Sequence, residues 1–237
     1  MSGINVLITG GSRGIGRATA LLAGQRGWNV GINYVRDATA AEATVQEVNE
    51  AGGKDVIGLF DKMNDAYGPI HGRVINASIT APAMPLADMN VDRLRPSFDT
   101  NILGAYLCAR EAARRMPKSE VGTAKSIIIV SSVASKLGSP NEYVDYAGSK
   151  GAMDSLTLGL SKELGPHGVR VSAVRPGLIS TDIHKSSGDA DRASRLGAQT
   201  PMRRPGEANE VAEAIGWLLS PASSYVTGAL LDVAGGR

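Results

Sequence analysis

The chain has almost no cysteine. Cys108 is the single one in 237 residues, which excludes an internal disulfide and a cysteine-based zinc site. Histidine is scarce too: His71, His167 and His184 stand far apart without ligand spacing, so no metal is expected. No apolar run approaches the roughly 18 residues of a membrane-spanning helix. The N-terminus reaches a charged loop pattern too early for a signal peptide. Neither sign of charge dominates, since 25 Lys plus Arg against 23 Asp plus Glu leaves +2. That balance calls for neither nucleic acid nor an anionic membrane as partner. What remains is 43% hydrophobic residues in a length that suits one large domain, here 1–237, with a sizeable core. The expectation is a soluble, cytoplasmic protein.

What is present is an alternation. Short apolar runs at 5–9, 30–34, 73–77, 126–131, 170–175 and near 230–232 read as strands. Longer stretches of helical period lie between them, at 15–25, 39–51, 91–116, 146–164 and 207–219. Strands alternating with helices predict an α/β fold, a parallel sheet covered on both faces in three layers. One stretch breaks the rhythm. Val56, Leu59, Phe60, Met63 and Tyr67 fall at helical spacing and predict a helix, which leaves no room for a strand before it. The competing reading is a strand over 55–60 closed by Asp61, with the helix missing instead. Pro96 lies inside the stretch 91–116 and predicts an interruption near Arg95.

Two motifs carry chemistry. The first strand runs directly into Thr9-Gly10-Gly11-Ser12-Arg13-Gly14-Ile15-Gly16. Glycines at 10, 14 and 16 permit a tight turn, close approach of backbone to a pyrophosphate, and close helix–strand packing. The helix that follows aims free N–H groups and its positive dipole end at phosphate. The second motif is Tyr146-Ala147-Gly148-Ser149-Lys150. On a helix, residues i and i+4 share a face, so the ammonium can stand near the phenol and lower its pKa toward a range useful for proton transfer. Tyr143 has Ala at the equivalent position, and so lacks a lysine partner. Ser131 and Ser132 close a buried strand just upstream, where active-site groups of parallel sheets gather.

In order and spacing these motifs resemble the short-chain dehydrogenase/reductase family over essentially the whole chain. The family's glycine pattern is matched by Thr9–Gly16. Its Asn-Ala-Gly strand end is matched in part by Asn76-Ala77-Ser78, with Ile75 where a second Asn is common. Its helix Asn is matched by Asn101, its serine by Ser132, its tyrosine and lysine by Tyr146 and Lys150, and its Pro-Gly by Pro176-Gly177. The resemblance implies a Rossmann-type doubly wound fold and nicotinamide-dependent interconversion of a carbonyl and a secondary alcohol. It implies that Ser132 polarises the substrate oxygen and Tyr146 moves the proton. Lys150 would tune Tyr146 and hold the nicotinamide ribose, and Asn101 would anchor a water relay. The cofactor would lie against Gly10, Ser12, Arg13, Gly14, Ile15, Gly16, Asn33, Tyr34, Arg36, Asn76, Ala77, Ser78, Tyr146, Lys150, Pro176, Gly177, Ile179 and Thr181. A substrate loop would run over 179–201, and the assembly would be a homodimer or homotetramer.

The sequence departs from the family before the fourth strand, which is about a dozen residues early. Strand three, an edge strand, is expected to be absent under the helical reading, and one wall of the adenine pocket with it. Under the alternative, Asp61 takes the adenine role. The departure favours a rival function, a cofactor-impaired or non-catalytic homologue serving as a binding or scaffold protein. The complete set Asn101, Ser132, Tyr146 and Lys150 favours the enzyme. Beyond strand two, where enzymes that use NAD(H) place an acid, stand Asn33, Tyr34, Val35 and Arg36. With Arg13 this suits the 2′-phosphate of NADP(H), while Asp37 leaves NAD(H) open.

Overall fold

A computed structural model describes residues 4–34, 38–50, 54–57, 60–116, 125–183, 188–189 and 191–237. Seven strands form one parallel sheet in the order β3-β2-β1-β4-β5-β6-β9. They are β1 (Asn5–Thr9), β2 (Asn29–Asn33), β3 (Lys54–Ile57), β4 (Gly72–Ile75), β5 (Lys125–Val130), β6 (Val169–Pro176) and β9 (Leu230–Val233). A separate two-stranded pair joins β7 (Ile179–Ser180) to β8 (Gly206–Glu207). The helices are α1 (Gly14–Gln25), α2 (Ala38–Glu50), α3 (Phe60–Tyr67), α4 (Val91–Phe98), α5 (Ala105–Arg115), α6 (Ala134–Leu137), α7 (Val144–Leu164), α8 (Arg192–Gly197) and α9 (Ala208–Leu219).

The central strands read as continuous apolar runs because both faces are covered. Val6 and Ile8 of β1 point into a core with Val30, Ile32, Val211, Ile215 and Leu218. Leu7 points the other way, into a core with Met63, Ala109, Ile127, Ile129 and Met153. Each such buried aliphatic side chain stabilises the fold by roughly 1.5–3 kcal/mol. The strand order runs outward from β1 in both directions. The crevice that opens between the carboxyl ends of β1 and β4 is therefore the switch point at which α/β sheets bind ligands.

Two expectations need correction. The edge strand is present: β3 pairs in parallel with β2, Asn29 opposite Lys54 and Ile32 opposite Ile57. The helix is present as well, confined to Phe60–Tyr67. Val56 belongs to the strand, and its chance alignment with the face of Met63 and Tyr67 made one long helix out of two short elements. Asp61 sits at the start of α3 and pairs with Arg115 of α5 at 2.5 Å. Leu59 lies outside the described residues. Nor does the chain break near Arg95. Pro96 is accommodated within α4, which Asn90 caps by accepting from the Arg93 N–H at 2.9 Å. The disturbance lies downstream, as a π-helical turn over Asp99–Gly104 that leads straight into α5. Such turns widen a helix locally and recur at functional sites.

Among the described residues no helix is long and apolar enough to cross a membrane, and no three His, Cys, Asp or Glu side chains gather as metal ligands.

Candidate active site

The ends of β1 and β4 are stitched together by side chains. Thr9 Oγ1 accepts from the backbone N–H groups of Asn76 (2.9 Å) and Ala77 (3.2 Å). Asn76 Nδ2 donates back to the carbonyls of Thr9 (2.9 Å) and Gly10 (3.1 Å). The glycine turn closes over this seam. Gly10 and Gly14 have φ of 66° and 55°, a region that side chains disfavour. A Cβ at Gly16 would stand 2.2 Å from the Gly10 carbonyl oxygen and 2.6 Å from Asn76 Nδ2, so only glycine lets α1 seat here. Arg13 precedes α1 in extended conformation without a side-chain cap. The first N–H groups of the helix are thus left for an anion. This cradle fits the pyrophosphate of a dinucleotide.

The cradle is one end of a cavity of about 630 Å³, well within the range of small-molecule sites. Gly10, Ser12, Arg13, Gly14, Ile15, Tyr34, Asn76, Ala77 and Ser78 line that end, and Ser132, Tyr146, Lys150, Pro176, Gly177, Ile179 and Thr181 line the rest. Two expected contacts stand behind the wall instead. Gly16 serves packing, and the Asn33 carbonyl accepts from the N–H groups of Gly10 (2.9 Å) and Gly11 (3.3 Å). Arg36 lies outside the described residues, as do Asp37 and His184.

Ser132 follows β5. Its Oγ accepts from the Ala134 N–H at 3.1 Å and is hydrogen-bonded to Tyr146. Tyr146 and Lys150 share one face of α7, with Lys150 Nζ 5.5 Å from the centre of the phenol ring. The ammonium donates to the Val130 carbonyl at 2.9 Å, and the Ser131 hydroxyl holds the Lys150 carbonyl at 3.0 Å. Burial pushes the Tyr146 phenol up to about 12, the Ser132 hydrogen bond working against it. Burial pulls Lys150 down to about 8, opposed by the carboxylate of Asp154. Desolvation thus outweighs the Ser132 hydrogen bond, the phenol stands above its ordinary value where a lowered one was expected, and Tyr146 rests protonated. Asp154, one turn beyond Lys150, accepts from the Ser135 hydroxyl at 2.6 Å and is paired with Arg175.

Asn101 does not line the cavity. It is buried in the π-helical turn, where Oδ1 accepts from the Ile79 N–H (2.8 Å) and Nδ2 donates to the Ile79 carbonyl (2.9 Å) and to Ser149 Oγ (3.2 Å). It fastens the segment after β4 to α7. Ile79 and Thr100, next to Asn101 in sequence, are the residues that reach the wall.

The sequence reading also missed several wall residues, chief among them Tyr143, Arg192, Asp182 and Arg237. Tyr143 had a usable signal in its place three residues before Tyr146, at the start of α7. Arg192 is brought in by the return of the chain between β7 and β8, which no local pattern announces.

Residues 10–237 match the family profile described as enoyl-(acyl carrier protein) reductase. The chain is 45% identical over 243 residues to the uncharacterized oxidoreductase YgfF of Escherichia coli K12, covering 98% of each. It is 35% identical to L-rhamnose 1-dehydrogenase (NAD(P)(+)) of Sphingomonas sp. SKA58, covering 100% of this chain and 96% of that one. The crystal structure of a short-chain type dehydrogenase/reductase from Mycobacterium marinum superposes with a TM-score of 0.90 at 31% identity, covering 99% of this chain and 95% of that one.

Proposed function

The chain belongs to the short-chain dehydrogenase/reductase family, and from that premise we propose an NAD(P)-dependent enzyme that interconverts a small carbonyl compound and its secondary alcohol. The observation that carries this reading is the shared cavity: the glycine cradle forms one end, and Ser132, Tyr146 and Lys150 form one wall of the other. The family's nicotinamide cofactor, when bound, supplies the hydride chemistry. Ser132 holds the substrate oxygen beside the Tyr146 hydroxyl. Tyr146 is protonated across the physiological range and gives its proton to the oxygen during reduction. Lys150 would hold a ribose hydroxyl of the cofactor, and Asn101 positions α7 and the wall at Ile79. The observation that favoured a non-catalytic homologue was the lost strand, and β3 occupies the sheet edge. The chain acts as one catalytic domain of the cytoplasm, with Ile179, Thr181, Asp182, Ile183 and Arg192 of the expected substrate loop lining the cavity.

NADP(H) is the preferred cofactor. Arg13 lines the cavity at the end of β2, where Asn33 and Tyr34 stand in place of an acid. A panel of ketones assayed with both cofactors tests the reading. The ratio of kcat/KM for NADPH over NADH should exceed one and should fall on Arg13→Ala. A ratio below one that the substitution leaves alone reverses the preference, and no turnover of any ketone overturns the enzyme.

The surface supports a dimer or tetramer. Leu103, Tyr106 and Leu107, at or next to α5, and Leu158 on α7 expose 42–54% of their surface, and Tyr225 near the C-terminus is fully exposed. Such exposure is commonly covered by a second copy. Light scattering should return a multiple of 24.6 kDa at micromolar concentration, and the monomer mass would contradict it.

A further inference from the structure

Tyr143 caps the start of α7, and its carbonyl accepts from the Ala147 N–H at 2.8 Å. It lines the cavity, it is 7% exposed, and its hydroxyl has no hydrogen-bond partner among the described residues. A buried hydroxyl without a hydrogen bond is destabilising, and a bound ligand is what can make that bond. The ring is held by a cation. The Arg192 guanidinium lies 4.9 Å from its centre and donates to both carboxylate oxygens of Glu142, at 2.9 and 2.5 Å. The loop that delivers Glu142 and Tyr143 is set by two non-glycine residues in left-handed conformation, Ser139 (φ 46°) and Asn141 (φ 61°). It is tied to a neighbouring segment by the Met84 N–H, which donates to the Glu142 carbonyl at 3.1 Å. Residues in such strained conformations persist where the surroundings hold them, and they cluster at ligand sites.

We propose that Tyr143 is a specificity residue that hydrogen-bonds a second oxygen of the substrate, so that the enzyme acts on small ketones and secondary alcohols bearing a hydroxyl or carbonyl on an adjoining carbon. This rests on the oxidoreductase reading above and names the substrate class within it. One feature selects a neutral oxygen over an anion: the Arg192 fork is fully engaged by Glu142, so its charge is already compensated. The placement fits as well: Tyr143, at the N-cap of α7, and Tyr146, in its first turn, both line the cavity. A substrate with two neighbouring oxygens can accept from both phenols. Val133, Leu137 and Leu178 bound the rest of this region with apolar surface, which suits a small skeleton.

The test compares 3-hydroxybutan-2-one with butan-2-one, in wild type and in Tyr143→Phe, with NADPH in excess. Phenylalanine keeps the ring under Arg192 and removes a buried hydroxyl that has no partner, so the fold should be retained. The wild-type ratio of kcat/KM, hydroxyketone over ketone, is expected at about 10 to 100, and in Tyr143→Phe it should collapse toward one. A wild-type ratio near one, or a ratio that Tyr143→Phe leaves unchanged, overturns the assignment of Tyr143 while the oxidoreductase stands. If neither ketone is consumed while another ketone of the panel is, the substrate class assigned here falls and the oxidoreductase stands; if no ketone of the panel is consumed with either cofactor, both readings fail.

Discussion

Replacing Tyr146 by phenylalanine should lower kcat for ketone reduction by about 10²–10⁴-fold, while cofactor affinity and the unfolding midpoint stay close to wild type. The ring packs as before, and the change removes only the hydroxyl bonded to Ser132. Stopped-flow turnover beside cofactor titration separates the two quantities. The pH dependence carries a further sign. With the phenol at about 12, reduction has its proton donor throughout the neutral and mildly alkaline range. Alcohol oxidation needs the deprotonated form, whose population grows about tenfold per pH unit below the pKa. Oxidation in the wild type should therefore climb with pH well beyond neutrality, and the residual rate of Tyr146→Phe should not. A larger loss in Tyr143→Phe than in Tyr146→Phe would show that the wrong tyrosine has been given the proton.

Lys150→Met should divide stability from activity. Lys150 is 3% exposed and its pKa is pulled down to about 8 from 10.5. Keeping it charged inside the fold at pH 7 therefore costs about 3 kcal/mol relative to the unfolded chain. Methionine fills similar space without the charge. The variant is expected to unfold at higher denaturant, gaining about 1–3 kcal/mol after the hydrogen bond to Val130 is lost. At the same time kcat falls by about 10²-fold or more. The folded pKa is depressed, so the unfolded chain binds the extra proton between about pH 8 and 10.5, and wild-type stability rises over that window. The gap between the two proteins should narrow from pH 8 upward. Denaturant titrations at pH 7 and 10 check it, and a variant less stable than wild type at pH 7 would mean that the ammonium is held favourably.

The fold was legible where each element announces itself. Val6-Leu7-Ile8 and Ile127-Ile128-Ile129 are long enough and apolar enough on both sides to be nothing but covered parallel strands. The glycine turn was legible because sterics leave no alternative at Gly16. The region 54–67 failed for a physical reason: a four-residue strand and a two-turn helix are each shorter than the window over which periodicity can be judged. Pro96 misled because a proline disturbs a helix without fixing where the disturbance is absorbed, here three residues later in the π-helical turn. At the site, Tyr146 and Lys150 could be paired from spacing alone. The fastening of Ile79 by Asn101 and the packing of Arg192 over Tyr143 are contacts between distant segments, and they exist only once the chain has returned. The electrostatics were equally hidden, since spacing suggests a lowered phenol pKa while the burial that raises it cannot be read from spacing.

The central claim is that the cradle at Gly10–Gly16 and the wall at Tyr146 hold a reduced nicotinamide dinucleotide. The most direct measurement is NADPH fluorescence on titration with the wild-type protein. Saturable enhancement is expected, half-complete within about 1 μM to 1 mM. A signal that rises linearly to millimolar cofactor with no saturation would contradict it.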